Sequence, residues 1–435
     1  MGAYPMTGFP DVFTLLGTGL WFALLYWWVW LPIVLGLLAY TAWFEAQRKT
    51  FLANVKWTIV ELTPPPEVLF SSPKAADNLF AGLHAAYGGG TSWKSQFFQG
   101  KVPDWFSFET VSNGGETHFY IRCPEGQLHV IESLIFAQYP EAEIRPVDDY
   151  ITLTPETFDP EVYDCSITEL IFTKDQAYPI KTYEEFEEAG GKDEYARLDP
   201  IAPLMEIMSA LGPGEHLWLE YLIRPTGGDW VKESGKVTDK LKGKKEEKRA
   251  IPGAGLFKAI DSLIIAGEPK EEKREEKQEF NLQKLTASER NVLELVEFKL
   301  AKLAFKTGIR LCYVARKESF NMSRVSSVTA MFKQFYYNNM NSFKPNPKAS
   351  SRSKGVFPWL FPDDKGFGAA SATLKLKKRL YKKYRAREFT KDYTILTTAE
   401  LATLWHLPGL NVKAPLMPRV QAKKGQPPPY LPTRP

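Results

Sequence analysis

From Val12 to Phe44 the chain runs 33 residues without a charged side chain. About 20 apolar residues cross a bilayer core, so this stretch can span one with tilt, a kink at Pro32, or a helix that begins nearer Leu20. Trp21, Trp27, Trp28, Trp30 and Trp43 make it unusually aromatic. A cleaved signal peptide would want a basic start and a shorter apolar run, whereas here the preceding residues hold Asp11 and no Lys or Arg. A fully buried soluble helix is disfavoured by the length. Basic residues follow the run, at Arg48, Lys49 and Lys56. The positive-inside rule then leaves the amino end outside and everything after about residue 50 in the cytoplasm. The expectation is a single-pass protein of the inner (cytoplasmic) membrane with its transmembrane helix over 12–44.

The remainder is long enough, within 435 residues of which 44% are hydrophobic, for two or three domains with real cores. The net charge of +4 is the small remainder of 55 basic and 51 acidic residues, so clustering says more than the sum. Cys123, Cys165 and Cys312 are few, odd in number and far apart. This pattern argues against a disulfide framework or a structural zinc site, and thiols in a reducing compartment fit better.

The fold class expected is α+β: two small antiparallel-sheet sandwiches of ferredoxin-like order after the membrane helix, then a loop-rich extension. In the first domain, 51–185, Phe51 to Glu67 reads as a short strand or helix extension. Ser72-Pro73 is a hydroxyl cap followed by proline, and Ala76, Leu79, Phe80 and Leu83 give that helix its apolar face. Trp105 to Ser112 and Glu116 to Cys123 alternate as strands around Asn113-Gly114, a hairpin signal. Leu128, Ile131, Leu134 and Ile135 repeat at helical spacing up to Pro140, Ala142 to Leu153 reads as a strand, and Ser166 to Tyr183 as more.

The second domain, 195–343, begins with the cap Asp199-Pro200 and the stripe Leu204, Ile207, Met208 and Leu211, followed by the alternating strand Glu215 to Arg224. A flexible charged insertion is expected over 226–280, with dense charge at Lys232 to Arg249 and Glu268 to Glu279 and an amphipathic helix around Leu256 to Ile264 between them. Thr286-x-x-Glu289 forms a capping box ahead of Val292, Leu295, Val296, Leu300 and Leu303. Gly308 is expected to end that helix, with a strand at Ile309 to Arg316 and a helix at Val325 to Tyr337. The similar element orders of the two halves suggest a divergent duplication. The rest, 344–435, reads as a basic, Pro-rich extension in which Thr397-x-x-Glu400 caps one short helix.

No catalytic constellation emerges. GxxxxGK[ST], which would converge amides, lysine and a hydroxyl on phosphates, is absent, as are GxSxG and HExxH. His84, His118, His129, His216 and His406 carry no ligand spacing, and solvation explains Asp148-Asp149 and Glu141/Glu143. The expectation is a non-enzyme with no cofactor and no metal. One segment stands out: Lys375, Lys377, Lys378, Arg379, Lys382, Lys383, Arg385, Arg387 and Lys391 crowd into 17 residues with a single acid, Glu388. Tyr381, Tyr384 and Phe389 interleave with them. Cations neutralise phosphate and aromatics stack on bases, which suits nucleic acid. Anionic lipid and a solvated or partner-docking basic face are the rival readings.

Several phrases carry a resemblance. They are Ser72-Pro-Lys-Ala-Ala-Asp-Asn-Leu-Phe-Ala-Gly-Leu-His84, Phe136-Ala-Gln-Tyr-Pro-Glu-Ala-Glu-Ile144, Asp199-Pro-Ile-Ala-Pro-Leu-Met-Glu-Ile-Met-Ser209 with Gly214-Glu215, Asn341-Ser-Phe-Lys-Pro345 and Glu400-Leu-Ala-Thr-Leu-Trp-His-Leu-Pro-Gly409, with Lys423-Lys424-Gly425 and the Pro-rich tail. From about Phe51 onward the chain resembles an uncharacterised bacterial family of membrane-anchored domains. These resemble the region ahead of the motor in conjugation-type, FtsK/HerA-like ATPases of type IV secretion systems. The resemblance implies an accessory role. Relatives carry a P-loop motor after the Pro-rich tail, whereas this chain ends there, so the motor is expected as a separate polypeptide or beyond a truncation. The function expected is a membrane-anchored docking or scaffold module of a DNA- or protein-translocating complex, with the inner membrane, a P-loop translocase ATPase and nucleic acid as partners and self-association left open. The alternative is a stand-alone membrane-tethered nucleic-acid-binding protein.

Overall fold

The computed structural model describes residue 21 and residues 25–65, 72–87, 92–189, 198–242, 286–337, 339–351, 368–409 and 417–420. The chain divides into two compact units, one of Met1–Lys56 with Thr91–Pro103 and one of Trp57–Gly90 with Asp104–Pro435.

The first unit is built on the helix Trp27–Asn54, none of whose residues is buried. It is long and apolar enough to cross a membrane. The helix continues past Phe44 through Glu45, Arg48 and Lys49, beyond the expected boundary, because nothing in Glu45–Asn54 breaks a helix. Pro32 lies inside this helix, where it removes the amide that would bond the Trp28 carbonyl. The expected span over 12–26 lies almost wholly outside the described residues. A second helix, Trp93–Gln99, ends at Gly100 in the left-handed conformation. A Cβ at Gly100 would meet the Gln47 carbonyl carbon at 2.7 Å, so only glycine allows this approach to the long helix.

The second unit is organised by one sheet of nine strands: β1 Trp57–Thr63, β2 Phe106–Asn113, β3 Glu116–Pro124, β4 Glu143–Pro146, β5 Tyr163–Phe172, β6 Glu215–Thr226, β7 Ala304–Arg316, β8 Phe343–Ser350 and β9 Thr394–Thr397. Their order is β4-β1-β3-β2-β6-β7-β5-β8, with β9 beside the start of β7, and every pairing is antiparallel. Read inward from either edge, each half repeats one pattern: fourth strand, first, third, second. The halves are not the two separate sandwiches expected. β2 pairs with β6 from Phe106↔Ile223 to Asn113↔His216, so the sheet runs through the anticipated boundary. Both middle strands are buried on the two faces along most of their length, so neither is an edge at which the sheet stops.

On one face, Phe106, Phe108, Leu219, Tyr221 and Leu311 meet the helices Ser72–Tyr87, Leu128–Gln138, Ala202–Ser209, Met322–Met331 and Thr398–Leu404. The helix start at Ser72-Pro73, the helix over 128–138 and both capping boxes stand where the sequence puts them, although the Ser72 hydroxyl donates to the distant Leu407 carbonyl. The hairpin also forms, but its two turn residues are Gly114 and Gly115, with φ of 61° and 96°, since a two-residue turn matching the strand twist needs positive φ twice. The opposite face is covered by the helix Ala369–Arg385, whose Leu380, Tyr381 and Tyr384 pack on Val111, Trp218, Cys312 and Val314.

Several expectations are corrected. Ala142–Leu153 holds only the short β4 and a 3-10 turn at Tyr150–Leu153, because Pro146 offers no ladder amide and Asp149 accepts the Ile151 N–H instead. Within the charged run from Lys232, Asp229–Leu241 is a helix that buries Trp230, Ser234 and Thr238 at a spacing of four. The rest of that insertion, including the helix around Leu256–Ile264, and the tail 421–435 lie outside the described residues. The helix Ala287–Ala301 buries Leu293, Val296 and Lys299 and leaves Leu303 exposed, because Lys299 turns inward to a partner. Gly308 lies within β7 rather than ending a helix, and the residues after Phe343 supply β8, the Ala369–Arg385 helix and β9 rather than a loop-rich extension.

Candidate functional site

The basic segment folds as the Ala369–Arg385 helix and the turn after it. Helical geometry sorts its charges. Lys375, Lys378, Arg379 and Lys382 recur at positions i, i+3, i+4 and i+7, and all four are exposed. At 1.5 Å per residue they form a straight cationic stripe about 10 Å long. Lys391 is also exposed, beyond the helix, and Lys383 is half-buried.

The other three expected contacts are engaged by the protein itself. Lys377 bonds Asp164 of β5. Arg385 donates to the Ile151 carbonyl at 2.9 Å and to the Tyr381 hydroxyl at 3.3 Å. Tyr381 and Tyr384 do not stand among the exposed cations: they point into the sheet, where Tyr384 stacks on Trp218 at 5.7 Å and meets the Tyr150 hydroxyl at 3.3 Å. Phe389 is half-buried, with the Arg224 guanidinium 4.0 Å from its ring centre. The expected stacking of Tyr381 and Tyr384 on bases is therefore corrected, since those rings anchor the helix.

Arg387 is the largest departure, being 1% exposed. Its Nε and Nη2 donate to Glu109 at 2.6 and 3.0 Å, while Nη1 and Nη2 donate to Asp149 at 2.7 and 3.0 Å. The helix closes with the Arg387 N–H on the Tyr384 carbonyl and the Glu388 N–H on that of Lys383. That motif places Arg387 at the left-handed position glycine normally takes, with φ of 47°. A strained backbone is retained here because the side chain is needed below. Burial opposes its charge, yet Glu109 and Asp149 hold the guanidinium pKa well above its ordinary value. Burial alone would raise the Asp149 carboxyl, but the bonds from Arg387 keep it below its ordinary value.

Beneath the turn a polar row crosses the sheet. In register, Arg145 lies beside Glu61, Glu61 beside Tyr120, Tyr120 beside Glu109, Glu109 beside Glu220, Glu220 beside Arg310 and Arg310 beside Glu169. Arg310 donates to Glu169 at 3.1 Å and faces Glu220 at 3.5 Å. Thr390 donates to the other Glu169 oxygen at 2.8 Å, so the turn is pinned at two points. Glu220 is fully buried, and desolvation pushes its carboxyl up to about 7 against the pull of Arg310. Arg122, nearby, is lowered to about 10 by burial and by the charge of Arg387. The sequence reading missed this row. Its signal was present: Glu109, Glu220 and Arg310 are charges in the middle of strands rich in aromatic and aliphatic residues, and buried charges are rarely left unpaired.

Two more buried pairs tie the last elements to the core. Lys299 Nζ lies 3.1 Å from Glu400 Oε2 and donates to the Tyr178 carbonyl, with its pKa lowered by burial. His406 sits with one ring nitrogen 3.0 Å from Asp199 and the other 2.7 Å from the Ala402 carbonyl. The remaining histidines have ordinary partners: His84 lies against the Thr226 carbonyl, His118 against Glu61, His129 against Glu132 and His216 against Asn113. The three cysteines are free and buried, and burial raises the Cys123 thiol to about 11 and the Cys165 thiol to about 12.

These features define an α+β protein in which one antiparallel sheet, clamped beneath a basic helix, accompanies an amino-terminal helix apolar enough to cross a membrane. The chain belongs to the family described as a domain of unknown function, DUF8128, whose family model matches residues 39–417. No curated protein matches the sequence.

Proposed function

We propose that this protein is a membrane-anchored, non-catalytic docking module of a type IV secretion or conjugation-like translocation complex, working with a separate P-loop motor. The observation that carries the reading is the division of labour within the basic segment. Arg387 and Lys377 fix the helix to the sheet and Arg385 fixes it to the turn at Tyr150–Leu153, while Lys375, Lys378, Arg379 and Lys382 are left facing solvent on a scaffold held at several points. A rigid row of cations loses little entropy on meeting a complementary acidic surface. Burial of Tyr381 and Tyr384 removes the stacking that a single-stranded nucleic acid would use, which favours an acidic face of the motor as the partner. The long helix holds the module in the inner membrane in a single pass, with the sheet-bearing unit cytoplasmic. Within that unit, the repeated strand order supports two ferredoxin-like βαββαβ halves joined edge to edge.

The test is a mild-detergent pull-down of the full chain beside a Lys375→Glu/Lys378→Glu/Arg379→Glu/Lys382→Glu variant. A P-loop ATPase retained by the first and lost by the second is the expected result. Equal retention by both removes the stripe from the account. Tight DNA binding by the chain alone, weakening steeply with salt, would favour the stand-alone nucleic-acid reading.

A further inference from the structure

We infer that the short helix Trp93–Gln99 is an interfacial foot, lying in the headgroup layer of the bilayer beside the anchor. The inference rests on the reading of Trp27–Asn54 as a membrane span and adds a second, independent lipid contact. Its occupant is the lipid surface itself, argued from continuity with that span. From Trp27 to Phe44 the long helix has no charge, and at 1.5 Å per residue this covers about 27 Å, close to the thickness of a hydrocarbon core. Polarity returns at Glu45, Gln47, Arg48 and Lys49.

The short helix docks at this boundary. Phe97 lies 6.1 Å from the Tyr40 ring and 5.7 Å from that of Trp43, and Gly100 closes onto the Gln47 backbone. The pair therefore sits within about two turns of the point where charge reappears. Tyr40, Trp43 and Phe97 form the kind of aromatic belt that settles at headgroup level. Phe98 packs edge-on to Phe97 at 5.1 Å and is 67% exposed, an apolar ring most of which is uncovered among the described residues. Lys94 and Arg48, both exposed, and the half-buried Lys101 flank it with positive charge, which complements anionic headgroups. Arg48 lies 4.3 Å over the Phe44 ring, its charge carried toward the polar side along an aromatic stem. An exposed phenylalanine in a basic frame beside a span has its apolar face satisfied by acyl chain and its lysines by phosphate.

The experiment uses the full chain in vesicles of phosphatidylcholine and phosphatidylglycerol, with nitroxide labels on Ser92→Cys or Val34→Cys. The three native thiols are buried. The readout is relative collision with oxygen, which enters the bilayer, and with a water-soluble nickel chelate. The Val34 label reports the span and should be deep. The Ser92 label should show an oxygen-to-nickel ratio severalfold above that of an aqueous label, with a value shallower than at Val34. Phe98→Asp should return the Ser92 label to an aqueous ratio and leave Val34 deep. An aqueous Ser92 label beside a deep Val34 label, or no response to Phe98→Asp, overturns the foot while the span stands. An aqueous Val34 label overturns the span reading itself.

Discussion

The two faces of the central sheet solve burial in opposite ways. One is hydrocarbon against hydrocarbon: Phe80, Phe108 and Trp405 stack edge to face at 4.7 to 6.1 Å under five helices. The other carries a row of buried charge, and its cover is fastened through Arg387 and Thr390. Apolar packing is non-directional and tolerates compensation, whereas a buried ion pair fixes orientation but leaves an uncompensated charge if one member is lost. The charged face therefore sets where the basic helix lies, and the apolar face supplies the bulk of the stability.

That contrast breaks most visibly at Arg387. Arg387→Met keeps the aliphatic stem and the left-handed backbone but strands Glu109 and Asp149, and should cost about 3–5 kcal/mol in denaturant unfolding. On the apolar face Met208→Leu conserves volume and should cost less than about 1.5 kcal/mol. Comparable losses at the two positions would erase the distinction between the faces.

A smaller effect is expected at Gly308, on the charged face. A Cβ there would lie 2.4 Å from the Thr390 methyl carbon. Gly308→Ala should destabilise by about 1–3 kcal/mol, as overpacking does. Adding Thr390→Ser, which drops the methyl but keeps the hydroxyl on Glu169, should recover most of the loss. Failure of that rescue would mean that β7 needs glycine for its backbone.

The last effect is a slope. Glu220, facing Arg310, Ser107 and Glu109 and near Arg122 and Arg387, has its folded pKa raised to about 7 by burial. An unfolded glutamate titrates at about 4.3. Between these values the folded protein holds a proton that the unfolded chain has released. The contribution is therefore complete below about pH 4.3 and is lost as pH rises through about 7. Relative to Glu220→Gln, the wild type should lose stability from pH 5 to pH 8, and parallel curves would show that Glu220 titrates normally.

The legible parts of the sequence were those with local rules. The proline at the helix start, Pro73, the glycine hairpin and both capping boxes specify their own geometry within four residues. What was hidden depends on distant partners. β8 contains Pro345 and Pro347, which read as loop but are tolerated on an edge strand. Gly308 reads as a helix stop, and only the Thr390 methyl explains its place within a strand. Lys299 shifted the expected helix face because its partner, Glu400, is about a hundred residues away. Within the basic segment helical spacing could have separated the stripe from the anchoring rings, but Arg387 and Lys391 both follow the helix and only the fold tells them apart.

The most direct measurement sets the charge-reversed stripe beside Arg387→Met, scoring thermal midpoint and co-purified P-loop ATPase for the same full-length samples. The account predicts that reversing Lys375, Lys378, Arg379 and Lys382 abolishes retention of the ATPase and leaves the midpoint within the small range of surface changes. Arg387→Met should lower the midpoint sharply. A reversed stripe that still holds the motor, with its fold intact, would contradict the account.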